Sequence, residues 1–113
     1  FGLAGSVMLD AGRKAGLTVA AEGFADRAYE PDGSLTPRSV AGSVIHDVQQ
    51  VVARAVRMVR DGRVVSRSGA DISIKVDTIC VHGDTPGAAT LARTLRAGLE
   101  EANIRVLPVG ASV

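Results

Sequence analysis

Apolar residues recur at helical spacing in three stretches of the chain, and each stretch predicts an α-helix. The first helix is expected in the second half of residues 1–16, and Gly16 is its predicted C-terminal stop. The small and apolar residues that recur at helical spacing here are Ala4, Val7, Met8, Ala11 and Ala15.

The second and clearest helix is predicted over residues 47–60. Asp47 and Gln50 stand three residues apart, as in a capping box, and Asp61-Gly62 is the expected end. Three arginines follow one side of this helix, near the C-terminal end where positive charge is favoured. We interpret the row as a solvated face, because the aromatic residues that stack on nucleic-acid bases are missing. The row consists of Arg54, Arg57 and Arg60.

The third helix is predicted over residues 85–102, where leucine and alanine recur at helical spacing. Asp84 precedes this stretch and is a natural N-cap, while Pro86 is tolerated in the first turn. Asn103 follows the last apolar residue and can close the helix in the left-handed conformation.

Short strands are predicted between these helices. Residues 77–81 lack strict alternation, as expected for a strand that is covered on both faces. Residues 63–66 and 71–75 are expected to pair as a hairpin around Ser68-Gly69. Strands that alternate with helices are typical of parallel βα units, so the predicted fold class is α/β. The remaining predicted strands cover residues 17–21 and 104–109.

Residues 22–42 form a long segment for which no regular structure is predicted. Pro31-Asp32-Gly33 within it predicts a turn, because proline presets φ and glycine accepts a positive φ. Long loops in compact domains are often functional, so we expect site residues in this segment. Asp32 itself is interpreted as a turn residue.

Composition excludes several classes of function. Thirteen basic and twelve acidic residues leave a net charge of +1, which gives no overall attraction to nucleic acid or anionic membranes. No apolar run approaches the length of a membrane-spanning helix. The single cysteine, Cys80, cannot form an internal disulfide and suits a reducing cytosol. Inside a predicted strand, it is interpreted as a small buried hydrophobe.

Two predicted parallel strands end in ionisable residues, and such ends meet at one edge of an α/β sheet. Glu22 follows the first strand, and His82 and Asp84 follow the second. Carboxylates act as general acids or bases where burial tunes them, and imidazole transfers protons near neutral pH or binds a metal. These three residues are the predicted catalytic groups. The plainer alternatives are a structural role for His82 and helix capping alone for Asp84.

Three further residues of the long segment are predicted to bind substrate: Asp26, Arg27 and Arg38. A guanidinium group grips a carboxylate or phosphate through paired N–H donors, which suits both arginines to an anionic ligand. The alternative for Asp26 and Arg27 is a local ion pair that shapes the loop. The sequence contains no metal triad of recognised spacing, no phosphate-binding glycine loop and no nucleophile elbow.

The chain resembles the C-terminal half of the LamB/YcsF family, from about Gly2 to Val109. The long pattern that carries this resemblance is specific, whereas His-Gly-Asp alone would be weak. The first part of the pattern is EGFADR at 22–27, Tyr29, DGSL at 32–35, Pro37-Arg38 and Gly42. The second part is VHGD at 81–84 with Pro86 and Ala88, followed by a helix rich in arginine and leucine and by Ile104.

The resemblance implies a (β/α) barrel-like fold similar to the glycoside hydrolase/deacetylase superfamily. Residues 1–113 would be the C-terminal portion of that single domain. The implied activity is ATP-dependent opening of the 5-oxoproline lactam ring to L-glutamate in the cytoplasm. The implied partners are 5-oxoproline, ATP with Mg²⁺ and the B and C subunits of 5-oxoprolinase. No metal ligands are assigned in these residues, because any such ligands would lie in the other half.

Two alternatives stay open beside this hypothesis. A half-barrel has too few strands to close, so the chain could be a non-catalytic part that needs a partner chain or associates with itself. Fold similarity also suggests a metal-dependent carbohydrate or amide deacetylase. One position departs from the family pattern, since Glu22 is followed by Gly23 where the family often has valine.

Overall fold

The computed structural model describes residues 1–111, which contain five short strands and three helices. The helices lie in the three predicted stretches, and the predicted hairpin forms. The elements in chain order are β1 (Gly2–Leu3), α1 (Val7–Lys14), β2 (Ala21–Gly23), α2 (Val48–Asp61), β3 (Arg63–Val65), β4 (Asp71–Ser73), β5 (Thr78–Ile79) and α3 (Ala88–Glu101).

The central sheet has the order β1-β2-β5, and both of its pairings are parallel. This arrangement confirms the predicted parallel units. The strand predicted at residues 17–21 is wrong in its position, because β2 begins only at Ala21. Leu17 belongs to the end of α1 and not to a strand. Its N–H donates to the Gly12 carbonyl, and Gly16 before it has a φ of 80°. β1 was not predicted.

Local end signals place α2 as the sequence predicts. The Asp47 carboxylate accepts hydrogen bonds from the backbone N–H groups of Gln49 and Gln50, at 3.0 and 3.3 Å. Gly62 adopts the left-handed conformation at the other end, and its N–H donates to the Met58 carbonyl. The cap and the stop therefore fix both ends of this helix.

The beginning of α3 differs from its prediction. The helix starts at Ala88, and the residue before it is Gly87 with a φ of 79°. Asp84 is exposed and does not cap the helix, because Pro86 and the left-handed Gly87 separate it from the first turn. Asn103 has a φ of 62° and ends the helix as predicted.

The predicted strand at residues 104–109 is wrong, because these residues pair with no strand within residues 1–111.

The apolar residues whose spacing predicts α1 do not form its buried side. Val7 is 83% exposed and Met8 63%, whereas Leu9 is buried. The spacing therefore located this helix but did not identify the residue that packs against the core.

Two clusters of buried residues form the core, and residues of the long segment belong to both of them. Ala25 packs with Val51 and Leu99 between α2 and α3, while Tyr29 packs with Met58 against the hairpin. The segment is hydrogen-bonded to itself and to the hairpin: the Thr36 N–H donates to the Ala28 carbonyl, and the Arg67 N–H donates to the Tyr29 carbonyl. It is therefore an ordered part of the fold, and it turns at Asp32 as predicted.

Within residues 1–111, no helix is both long and apolar enough to cross a membrane.

Candidate functional site

The ends of β2 and β5 lie side by side, and we call residues 22–27 and 80–84 the rim. Glu22 is in register with Thr78, and Gly23 with Ile79. The Cys80 N–H donates to the Gly23 carbonyl at 2.9 Å, which continues the pairing past the strand end. Both rim segments therefore leave the sheet at the same edge, as the parallel arrangement requires.

Side chains of the two rim segments touch. The His82 ring stacks on Phe24 with centroids 5.6 Å apart and an interplanar angle of 23°. The Cys80 sulfur lies 3.7 Å from His82 Nε2. Burial raises the pKa of the Cys80 thiol to about 11, and the Glu22 and Asp26 carboxylates contribute to the increase. Glu22, Asp26, Cys80 and His82 thus share one patch, and Cys80 is only partly buried instead of being a core residue.

Three rim side chains carry buried polar atoms that have no hydrogen-bond partner within residues 1–111. These atoms are Asp26 Oδ1, Arg27 Nε and His82 Nδ1. Asp26 is 7% exposed and Arg27 8%. An unpartnered buried polar group is costly and rare in a native structure, so each of these atoms calls for a partner. All three belong to residues that the sequence predicts as site residues, and the only other such atom in residues 1–111 is Ser6 Oγ.

The Arg27 side chain is held by another residue of the long segment and not by the adjacent Asp26. Its Nη2 donates to the Thr36 carbonyl at 2.8 Å. The alternative ion pair between Asp26 and Arg27 is not formed in the described part of the chain. Nearby, the Phe24 N–H donates to the Tyr29 hydroxyl at 3.0 Å, and burial raises the pKa of that hydroxyl. The Nε–H of the buried Arg27 is thus free for another acceptor.

The predicted solvated position is wrong for Arg54. It is half-buried, with Nε donating to the Ala25 carbonyl at 2.9 Å and Nη2 to the Arg27 carbonyl at 2.7 Å. Burial lowers the pKa of this guanidinium. Its place between the buried Val51 and Ala55 was a signal that it borders the apolar side of α2.

Two predicted site residues stand apart from these contacts. Arg38 is exposed, and its guanidinium makes no hydrogen bond or ion pair inside residues 1–111. Asp84 is exposed as well, two residues beyond His82. Glu22, Asp26 and His82 are the predicted residues that lie together around Cys80, while Arg27 is buried beside them in sequence and bonds to Thr36. The catalytic and binding roles of all six residues stay predictions.

The rim offers no metal centre of its own. Among residues 1–111, no group of three His, Cys, Asp or Glu side chains is placed to hold a metal ion. The deacetylase alternative therefore has no ligand set in this part of the chain. A groove of about 410 Å³ lies between β5, α3 and residues 104–109; it reaches the rim at Val81, but none of the predicted site residues lines it.

Gly23, the position that departs from the family pattern, lies directly beside Val76. A Cβ atom at this position would lie 2.6 Å from Val76 Cγ1, which is far inside van der Waals contact. Val76 packs against the cluster around Tyr29 and fills the space that a side chain at position 23 would need. A side chain at position 23 would therefore require Val76 to move.

The chain belongs to the LamB/YcsF family, because the model of that family matches residues 1–113. The resemblance seen in the sequence is thereby confirmed. The parallel sheet and packed helices confirm the α/β class, whereas closure into a barrel stays a prediction.

Named relatives and a solved structure agree with this family. The chain is 52% identical over 106 residues to the 5-oxoprolinase A-subunit of Rhodopseudomonas palustris strain BisB5, covering 94% of the chain and 42% of that relative. It is 49% identical over 108 residues to the 5-oxoprolinase A-subunit of Pyrococcus furiosus, covering 96% and 42%. The lactam utilization protein of Thermus thermophilus superposes with a TM-score of 0.83 at 42% identity, covering 90% of this chain and 40% of that one. The chain thus spans about two-fifths of the length of these proteins.

Proposed function

We propose that this chain forms part of the A-subunit of an ATP-dependent 5-oxoprolinase, which opens 5-oxo-L-proline to L-glutamate. The observation that carries the proposal is the set of three buried, unpartnered polar atoms on Asp26, Arg27 and His82. Such atoms are suited to a polar ligand that completes their hydrogen bonds. The names of the relatives, lactam utilization protein and 5-oxoprolinase A-subunit, support a cyclic amide as that ligand.

The chemistry explains why ATP is needed. A five-membered lactam is an unstrained amide with a poor leaving group. Transfer of the γ-phosphoryl group to the lactam oxygen forms a new P–O bond, releases ADP and makes the ring carbon a better electrophile. Water then attacks that carbon, the C–N bond breaks with protonation of the nitrogen, and a second water releases phosphate. Such a sequence needs cations for the phosphate charge and a group that moves protons.

The rim residues have types that suit these tasks. Arg27 offers a buried guanidinium with a free N–H for an anionic group, and Arg38 is the second arginine proposed for that purpose. His82, with Glu22 or Asp84, is proposed to move protons to and from the ring nitrogen and water. ATP would enter with Mg²⁺, for which these residues supply no evident ligand set.

The proposed enzyme has several subunits and works in the cytoplasm. The relatives are named as subunits, which supports an assembly with further chains, proposed here as the B and C subunits. This part of the proposal concerns the whole enzyme, since the chain spans 42% of the relative from Rhodopseudomonas palustris.

A second candidate function is assembly without catalysis, and one structural observation favours it. Within residues 1–111, each outer strand of the parallel sheet, β1 and β5, has one edge that no other strand pairs with. Open strand edges and exposed apolar side chains such as Val7 and Met8 favour contact with another chain or another copy. On this reading residues 1–113 bind but do not react.

Glutamate release from 5-oxoproline separates these candidates. The assay compares this chain alone, the same polypeptide in its full natural length, and the full-length polypeptide with the B and C subunits, each with and without ATP. In the complete assembly we expect ATP-dependent release that Arg27→Ala and His82→Ala reduce by at least ~100-fold. Arg57→Met is the matched control, since Arg57 pairs with Asp71 away from the rim. Unchanged release in the Arg27 and His82 variants would refute the site assignment, and release without ATP would refute the proposed reaction.

A further inference from the structure

Arg54 differs from the other two arginines of its row in what it binds. Arg57 forms an ion pair with Asp71, and Arg60 donates to the Ala102 carbonyl, both at exposed positions. Arg54 instead crosses from α2 to the rim and donates to two backbone carbonyls, those of Ala25 and Arg27. One planar guanidinium thus spans three consecutive residues of the long segment.

The residue between the two bound carbonyls is Asp26. Its own carbonyl accepts a hydrogen bond from the Ile45 N–H at 2.7 Å, so all three successive carbonyls of this stretch are held. Its carboxylate is buried, keeps Oδ1 unpartnered, and lies close enough to Cys80 to raise the pKa of that thiol. The backbone on both sides of this buried carboxylate is thus restrained.

The charge of Arg54 is also placed to act on Asp26. Arg54, Arg27, Asp26 and the Tyr29 hydroxyl lie near enough to influence one another electrostatically. No hydrogen bond joins Arg54 to the Asp26 carboxylate within residues 1–111, so Arg54 restrains the backbone and leaves the carboxylate free. The same contact with the Arg27 carbonyl restrains the residue that carries the free Nε.

We propose that Arg54 is a positioning residue, which holds the Ala25 and Arg27 carbonyls so that Asp26 and Arg27 present unpartnered polar atoms at the rim. This inference rests on the proposed function only for what the rim binds. Arg54 acts through the other two residues and is not itself proposed to touch the substrate.

The test uses Cys80, the only cysteine of the chain, as a probe of where the Asp26 carboxylate points. Below the pKa of the thiol, its alkylation rate by iodoacetamide is proportional to the thiolate fraction. Removing a nearby negative charge with D26N should raise this rate by at least ~3-fold in the otherwise unaltered chain, which corresponds to about half a pKa unit. The ratio of the two rates therefore measures the influence of Asp26 on Cys80.

If Arg54 positions Asp26, the D26N ratio should fall below ~1.5-fold in an R54M background, because the carboxylate is no longer held toward Cys80. R57M is the matched control on the same helix and should leave the ratio unchanged. Each ratio compares two chains, with and without D26N, that have the same residue at position 54. The direct effect of the Arg54 charge on Cys80 therefore cancels in the ratio. An undiminished ratio in R54M would overturn the proposal.

A second variant keeps the test decisive if R54M fails to fold, as judged by circular dichroism. R54K keeps the charge and the carbon stem but lacks the planar fork that reaches two carbonyls, so the ratio should be reduced. A full ratio in folded R54K would overturn the proposal. Since no enzymatic reaction is measured, the result is independent of whether the complete enzyme opens 5-oxoproline.

Discussion

The two segments of the rim differ in how firmly the fold holds them. After β2, the chain from Ala25 to Arg27 is buried. Arg54 donates to two of its backbone carbonyls, and the Arg27 side chain donates to the Thr36 carbonyl. After β5, Gly83 and Asp84 are exposed, and His82 is held mainly by stacking on Phe24. The first segment is part of the core, whereas the second lies on its surface.

This difference shows that a position after a parallel strand does not by itself make a residue functional. Glu22, Asp26 and His82 share one patch with Cys80, because the paired strand ends and the stacking of His82 on Phe24 bring them there. Asp84 also follows a strand, five residues after the end of β5, but it is exposed to solvent. Burial with unpartnered polar atoms is the feature that separates the stronger site candidates from the weaker ones.

The largest effect on stability is expected at Tyr29, which supports the rim segment that follows β2. Tyr29 is fully buried, and its hydroxyl accepts the Phe24 N–H. We expect Tyr29→Ala to lower the free energy of unfolding by about 3–5 kcal/mol, because it leaves a cavity beneath the rim. His82→Ala should cost only about 1 kcal/mol, the worth of an aromatic contact. Urea unfolding measures both, and equal losses would contradict the difference between the segments.

The next effect concerns the thiol that lies where the two segments meet. With a pKa raised from 9.0 to about 11, Cys80 should react with iodoacetamide near neutral pH roughly 10- to 100-fold more slowly than a free cysteine. Glu22→Gln should increase the rate, because it removes a neighbouring negative charge. An alkylation rate equal to that of the urea-unfolded chain would contradict the burial that raises the pKa of this thiol.

The same thiol gives a pH dependence of stability with a definite sign. Because folding raises its pKa, the stabilising contribution of the protonated thiol is fully present below pH 9 and is lost as the pH rises toward about 11. The free energy of unfolding should therefore fall over that interval. In Cys80→Ser this part of the fall should be absent, and an identical pH profile of the variant would contradict the assigned burial.

A smaller effect tests the strand end itself. Gly23→Val would place side-chain atoms against Val76 and should cost about 1–3 kcal/mol of stability through overpacking. Val76→Ala in the same chain should restore part of this loss by vacating the space. Chemical denaturation of the single and double variants measures the coupling, and strictly additive losses would refute the steric explanation of Gly23.

The smallest effect contrasts two aspartates that the sequence treats alike as helix caps. Asp47 accepts two backbone N–H groups, so Asp47→Ala should cost about 1 kcal/mol. Asp84 accepts none at the start of α3, so Asp84→Ala should stay within about 0.5 kcal/mol. Thermal unfolding distinguishes the two, and a comparable loss at Asp84 would mean that it does cap the helix.

Features with a local cause could be predicted from the sequence. Asp47, Gly62 and Asn103 mark helix ends because capping and left-handed conformations depend on a few adjacent residues. The hairpin and the parallel order also followed from local patterns. The position of the rim could be predicted for the same reason, since parallel strands end at one edge of the sheet.

Features that depend on distant neighbours could not be predicted. Residues 104–109 have the composition of a strand, but β-structure requires a partner edge that composition does not reveal. Arg54 occupies the same row as Arg57, and only the packing of the long segment against α2 distinguishes them. The outward orientation of Val7 is likewise set by where α1 packs.

The claim that the two rim segments act as one site is tested most directly by a double-mutant cycle in the assembled 5-oxoprolinase. Asp26→Asn changes the firm segment, His82→Gln changes the exposed one, and ATP-dependent glutamate release is measured for both variants and their combination. We predict that the activity of the double variant is at most ~3-fold below that of the less active single variant, because the effects of groups that act as a unit are not additive. Losses that multiply would contradict a single site.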